Sequence, residues 1–213
     1  MNNYEFVQKN EYQPLRDEAE IIIRKVQKML KKEFTFQYNL VGSGKRHLVT
    51  RIKGGNRGFD LDFNLFLNNM VKAKFAKESL LAAFQEAIKG THFNKVENST
   101  SAITVKKVDK NNSRIVYSCD FAIMYYDNEK DLIKYVRFNK NQNNYTWENR
   151  KYSYKAEYKK GIVLNIYDWN QIKEKYLHLK NANKDLNKHS FQLFLETINN
   201  LYNEIVDEED DYE

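Results

Sequence analysis

Between residues 59 and 67 the chain alternates strictly. Phe59, Leu61, Phe63, Leu65 and Leu67 take every second position, with Asp60, Asp62 and Asn64 between them. Side chains along a strand point to opposite faces in turn, so this spacing predicts a strand with one apolar and one acidic face. Residues 34–41 (Phe-Thr-Phe-Gln-Tyr-Asn-Leu-Val) alternate in the same way and run into the small-residue turn Gly42-Ser43-Gly44. Further strands are expected over 101–108 and 114–126, joined by the turn Asp109-Lys110-Asn111-Asn112, and over 132–138. Helical spacing replaces alternation elsewhere. Leu15, Ala19, Ile22, Val26 and Met29 predict a helix over 14–32, with Pro14 in its first turn. A helix over 77–89 is stopped by Gly90, placed just past its last turn. Two more close the chain, over 168–180 and 190–206. The first opens on Asp168 and Gln171 at capping-box spacing, and the second carries the stripe Phe191, Phe194, Leu195, Ile198, Leu201 and Tyr202. Residues 139–160 are polar and tyrosine-rich, and no period defines an element there.

Composition narrows the class. A chain of 213 residues has room for one domain with a proper core, and 41% hydrophobic residues with 13 Phe and 15 Tyr exclude global disorder. One Cys excludes a disulfide scaffold. No apolar run approaches the roughly 18 residues of a membrane span, and the Met1-Asn2-Asn3-Tyr4 start has no basic or apolar leader region, so a cytoplasmic protein is expected. With one Pro and seven Gly there is no composition shift to mark a linker, and a single domain over 1–206 with an acidic tail over 207–213 is expected. The net charge of +6 hides an asymmetry: the last ten residues hold seven acids and no base, which leaves +13 on residues 1–203. Such a body suits phosphate-bearing partners, and a Lys- and Asn-rich composition would produce the same excess, so charge alone decides nothing.

The candidate chemistry lies in the acidic strand. Asp60 and Asp62 project to one face, about 7 Å apart, and two ionised carboxylates at that range repel. A divalent cation between them removes the conflict, and oxygen-only ligands favour Mg²⁺ or Mn²⁺. Asp120 stands in the apolar strand segment 116–124, where it calls for a metal, a basic partner or a face open to water. If its strand lies beside that of Asp60 and Asp62, three acids converge as they do in two-metal phosphoryl-transfer sites. Cys119, next to Asp120, points to the opposite face and into the core. Gly44-Lys45 is not a phosphate-binding P-loop, which needs Gly where Asn39 stands and Ser or Thr where Arg46 stands. Asp60-x-Asp62-x-Asn64 is not a calcium loop, because Leu65 replaces the required Gly. His47, His92, His178 and His189 are scattered singly with no Cys or His at ligand spacing, so no zinc site is expected. Lys45 and Arg46 either reach phosphates or form a solvated pair. The tyrosines at 145, 152, 154, 158 and 167, interleaved with lysines, either stack bases or face solvent in part.

A Gly42-Ser43 turn after one strand, Asp60-Leu61-Asp62 on the next and a lone Asp120 on a later one resembles the DNA polymerase β-like nucleotidyltransferase superfamily. The string Gly42-Ser43-Gly44-Lys45 ahead of the two acids is most similar to the branch holding oligoadenylate synthetases, cyclic GMP-AMP synthase and their bacterial relatives. The resemblance spans residues 35–126. It implies an α/β (α+β) nucleotidyltransferase fold: a mixed, mostly antiparallel sheet flanked by helices, with two C-terminal helices. It further implies that Gly42, Ser43 and Lys45 bind the phosphates of a nucleoside triphosphate. Asp60 and Asp62 would ligate both Mg²⁺ (or Mn²⁺) ions, and Asp120 would ligate one and help activate an acceptor hydroxyl. The implied reaction moves a nucleoside monophosphate to an acceptor on a nucleic acid, nucleotide or protein and releases pyrophosphate. The alternative is a catalytically silent module of the same fold that binds nucleotide, nucleic acid or a partner protein. In either case no membrane partner is expected, and the acidic tail suits a basic partner.

Overall fold

Each of the five alternating segments forms a strand in the computed structural model, which describes residues 3–150, 154–185 and 188–210. In chain order the elements are β1 (Tyr4–Phe6), α1 (Lys9–Leu30), β2 (Phe36–Val41), α2 (Gly42–Arg46), β3 (Thr50–Ile52), β4 (Arg57–Leu67) and α3 (Ala73–Ala87). They continue with β5 (Lys95–Asn98), β6 (Ala102–Asp109), β7 (Arg114–Asp127), β8 (Leu132–Asn139), β9 (Asn144–Asn149), α4 (Tyr154–Ile166), α5 (Trp169–Ala182) and α6 (Ser190–Asp210). The chain divides into two compact units, Val7–Arg150 and a second made of Met1–Phe6 with Lys151–Glu213.

Within Val7–Arg150 the strands form a seven-stranded sheet ordered β2-β4-β7-β6-β5, and β8 pairs the far end of β7 and carries β9. β4 and β7 run parallel and every other pair is antiparallel, so the sheet is mixed and mostly antiparallel. A parallel pair needs a long crossover, here supplied by α3, β5 and β6. The apolar face of the central pair is the core: Leu61, Phe63 and Leu65 of β4 and Cys119, Phe121 and Ile123 of β7 are all buried. Phe121 stacks between Phe63 (centroids 5.5 Å apart) and Phe84 of α3 (4.4 Å). α1 brings Leu15, Ala19, Ile22, Ile23 and Val26 into the same core. At roughly 1.5–3 kcal/mol per fully buried large side chain, this face is the main stabilising contribution of the unit.

In the second unit Asp168 caps α5, accepting from the backbone N–H groups of Asn170 (2.7 Å) and Gln171 (3.0 Å), while the Gln171 side chain accepts from the Asp168 N–H (2.9 Å). Ile172 and Tyr176 of α5 are buried, as are Leu193, Phe194, Ile198, Leu201 and Ile205 of α6. Among the described residues no helix is long and apolar enough to cross a membrane.

Several boundaries differ from the sequence reading. α1 starts at Lys9, because Glu11 accepts from the Gln8 N–H (3.1 Å) and Tyr12 is buried; Pro14 therefore sits in the second turn. α3 begins a turn earlier than expected, at Ala73, and Gly90 has the left-handed φ of +75°. Gly42-Ser43-Gly44 is the first turn of the short helix α2. β5, β9 and α4 were not legible: the two strands are short, and Val163 is the only buried residue of α4 among the described side chains, so neither period could emerge. The two expected C-terminal helices form as α5 and α6, and α4 precedes them. In α6, Phe191 is exposed and Leu193 and Ile205 join the buried stripe; with no Gly or Pro to stop it, the helix runs on to Asp210. Residues 211–213 of the acidic tail lie outside the described residues.

Candidate active site

The face of the sheet opposite the core carries polar positions of β4, β6 and β7. In the parallel register Asp62 lies opposite Asp120 and Asp60 opposite Ser118; in β6, Thr104 lies opposite Asp120 and Lys106 opposite Ser118. Because facing residues of paired strands share a side, Asp60, Asp62, Ser118, Asp120, Thr104 and Lys106 all belong to one face. A cleft of about 250 Å³ opens there, lined by Arg57, Gly58, Phe59, Asp60, Thr104, Lys106, Ile115, Ser118 and Asp120.

α2 enters this site from β2, whose last residue, Val41, is the register partner of Asp62. The next residue, Gly42, has φ +61°, and a Cβ on it would run into the Asp62 carboxylate. Glycine is therefore required twice over, by backbone conformation and by space. Gly44 is buried, and a Cβ there would stand 3.0 Å from Leu61 and 3.1 Å from Leu40, which holds α2 down on β4. Arg46 donates to the Gly42 carbonyl at 3.1 Å, and His47, in the left-handed region at φ 56°, ends the helix. Tyr12 of α1 meets His47 Nδ1 at 2.7 Å and ties that end to the core.

Electrostatics concentrate on Asp62. Burial, and then the charges of Asp60 and Asp120, push its carboxyl up to about 7, against the opposing effect of Arg46. Asp120 is held at Oδ1 by the hydroxyl of Thr104 at 2.5 Å. Lys106 pairs with Glu97 at 2.5 Å.

The structure thus brings Asp60, Asp62 and Asp120 onto one face and sets Gly42 against Asp62. Ser43 is half-buried in α2, while Lys45 stands exposed on it. Cys119 lies in the core, as its parity requires. Among the described residues no group of three or more His, Cys, Asp or Glu is arranged to hold a metal ion as it stands. The donor set nonetheless fits a hard divalent cation. It is all carboxylate oxygen, and the charge of Asp62 is disfavoured by the very neighbours with which a cation would be shared. Sequence reasoning missed Thr104, Lys106 and Ser118, although the alternations Thr104/Lys106 and Ser118/Asp120 place each pair on one strand face. The tyrosine-rich segment forms no single element: Tyr145 packs edge-on against Phe138 (5.2 Å) in β9, Tyr158 is exposed on α4, and Tyr152 lies outside the described residues.

A mixed sheet with this parallel central pair, preceded by a strand and a glycine-led short helix, is a nucleotidyltransferase fold, shared with solved bacterial nucleotide cyclases. The fold is that of DncV, the cyclic AMP-GMP synthase of Vibrio cholerae and a prokaryotic cGAS homolog, with a TM-score of 0.64 over 92% of this chain and 68% of DncV at 11% identity. DncV with its linear intermediate 5′ pppA(3′,5′)pG gives 0.65 over 94% and 74% at 9% identity, and DncV with GTP and 5MTHFGLU2 gives 0.66 over 92% and 69% at 10%. The CD-NTase CdnG of Bradyrhizobium diazoefficiens, in complex with GTP, aligns with 81% of this chain at 12% identity and a TM-score of 0.49, and the chain spans 42% of that protein's length. No protein-family model and no curated protein matches the sequence.

Proposed function

We propose that this protein is a metal-dependent nucleotidyltransferase that moves a nucleoside monophosphate from a nucleoside triphosphate to an acceptor hydroxyl, with release of pyrophosphate. The observation that carries this reading is the register of β4 against β7, which sets Asp62 opposite Asp120 on the face that also bears Asp60, with Gly42 against the Asp62 carboxylate. Asp60, Asp62 and Asp120 are the ligands for Mg²⁺ or Mn²⁺, which when bound neutralises phosphate charge and lowers the pKa of the acceptor hydroxyl. The backbone of Gly42-Ser43 and the Ser43 hydroxyl hold the β- and γ-phosphates, and Lys45 offsets their charge from the exposed side of α2. Their work is positional, holding the α-phosphate in line for attack. That solved DncV structures hold GTP, and one of them ATP and GTP together, supports a triphosphate donor.

The test is incubation with each labelled triphosphate and Mg²⁺ or Mn²⁺, with and without RNA and protein acceptors, reading pyrophosphate and labelled product. Asp60→Asn and Asp62→Asn should each reduce pyrophosphate release to background, and Ser43→Ala should shrink the rise in Tm produced by triphosphate with Mg²⁺. The excess of +13 on residues 1–203 supports a second reading, a binding module of the same fold. That reading replaces the first if the protein releases no pyrophosphate with any triphosphate yet binds RNA or DNA with a steep salt dependence that survives Asp60→Asn.

A further inference from the structure

Thr104 is 8% exposed, in the middle of β6, between Ile103 and Val105, which face the core. Nothing in the strand asks for a hydroxyl at this position: valine has the same shape, a strong strand preference and no desolvation cost. The hydroxyl has one evident use, its hydrogen bond to Asp120 Oδ1 across the β6–β7 ladder. A carboxylate turns through a broad range about its last torsion, whereas a β-branched threonine is stiff at χ1. A stiff donor therefore selects one orientation of a loose acceptor. It engages Oδ1, and the second oxygen remains for the cleft whose wall Thr104 and Asp120 share. The bond also opposes the repulsion between Asp120 and Asp62, which face each other across β4 and β7.

We propose that Thr104 is a positioning residue for the metal-binding carboxylates, setting by its hydrogen bond the oxygen that Asp120 presents to a divalent cation. The proposal rests on the reading of Asp60, Asp62 and Asp120 as the ligand set. Calorimetric titration of the full chain with Mn²⁺ alone tests it without reference to turnover. Thr104→Val should weaken Mn²⁺ binding by about tenfold or more, the size of effect seen when the outer partner of a metal ligand is removed. Thr104→Ser, which keeps the hydroxyl, should restore most of that loss. In an Asp120→Asn background Thr104→Val should change Mn²⁺ affinity by less than about twofold, since its effect runs through Asp120. Urea unfolding of each variant keeps stability apart from binding, and if Thr104→Val does not fold, Thr104→Ala takes its place in every comparison. Wild-type binding matched by Thr104→Val, or Thr104→Ser as weak as Thr104→Val, overturns the positioning role and leaves the ligand set standing. Wild-type protein that takes up no Mn²⁺ overturns the ligand set, and the positioning role falls with it.

Discussion

Gly42 shows how much can hang on the absence of one side chain. Its positive φ and its contact with Asp62 come from the same chain reversal, the step from β2 into α2. Gly42→Ala should therefore cost about 1–3 kcal/mol in urea unfolding and displace the Asp62 carboxylate; under the proposed function, pyrophosphate release falls in parallel. Lys77 is the opposite case, a charge where the fold leaves little room for one. It is 1% exposed, donates to the carbonyls of Ser99 (3.0 Å) and Ala102 (2.7 Å), and lies over the Tyr145 ring. Burial pulls its amine down to about 8 from 10.5, with the charge of Asp120 acting the other way. The unfolded chain thus binds more protons than the folded one between those values, so the contribution of Lys77 to stability rises with pH across that window. Urea unfolding at pH 7 and pH 9.5 should show the wild type gaining about 1–2 kcal/mol relative to Lys77→Met.

At the scale of elements, side-chain parity explains most of what could be read in advance. Strict alternation in β4 put Asp60 and Asp62 on one face and Leu61 and Phe63 on the other, and the buried residues follow that division. The same argument, applied to β6 and β7, holds Thr104, Ser118 and Asp120 within reach of each other, but only once the strands are known to be neighbours. Caps were legible where both partners are close in sequence. Asp168→Ala should lower stability by about 1 kcal/mol, measured by denaturant unfolding, because two backbone N–H groups at the start of α5 lose their acceptor. Elements without a stripe were not legible. α4 packs against α6 through so few apolar positions that its helical period is carried by tertiary contact alone.

For the molecule as a whole, Cys119 is the most direct probe. It is fully buried at the centre of β7, between Val105 of β6 and Leu61 of β4, and burial pushes its thiol well above the usual range. A buried, protonated thiol is a poor nucleophile, so a thiol reagent should leave the native protein unlabelled and modify Cys119 only as fast as the central sheet opens. Labelling in native buffer at the rate of the denatured chain would mean that the sheet is not the stable centre of the molecule.

Sequence by itself determined which residues could share a face, because alternation and capping act over two to four residues and leave their mark in the local pattern. It determined that Cys119 faces the core and that Asp60 and Asp62 do not. Only the tertiary structure decided that β7 lies beside β4 in the register that sets Asp62 against Asp120, and that Thr104 reaches Asp120 from the other side. Strand order depends on how the crossover through α3, β5 and β6 buries the apolar face of the whole sheet, a property of distant segments together that no local period carries.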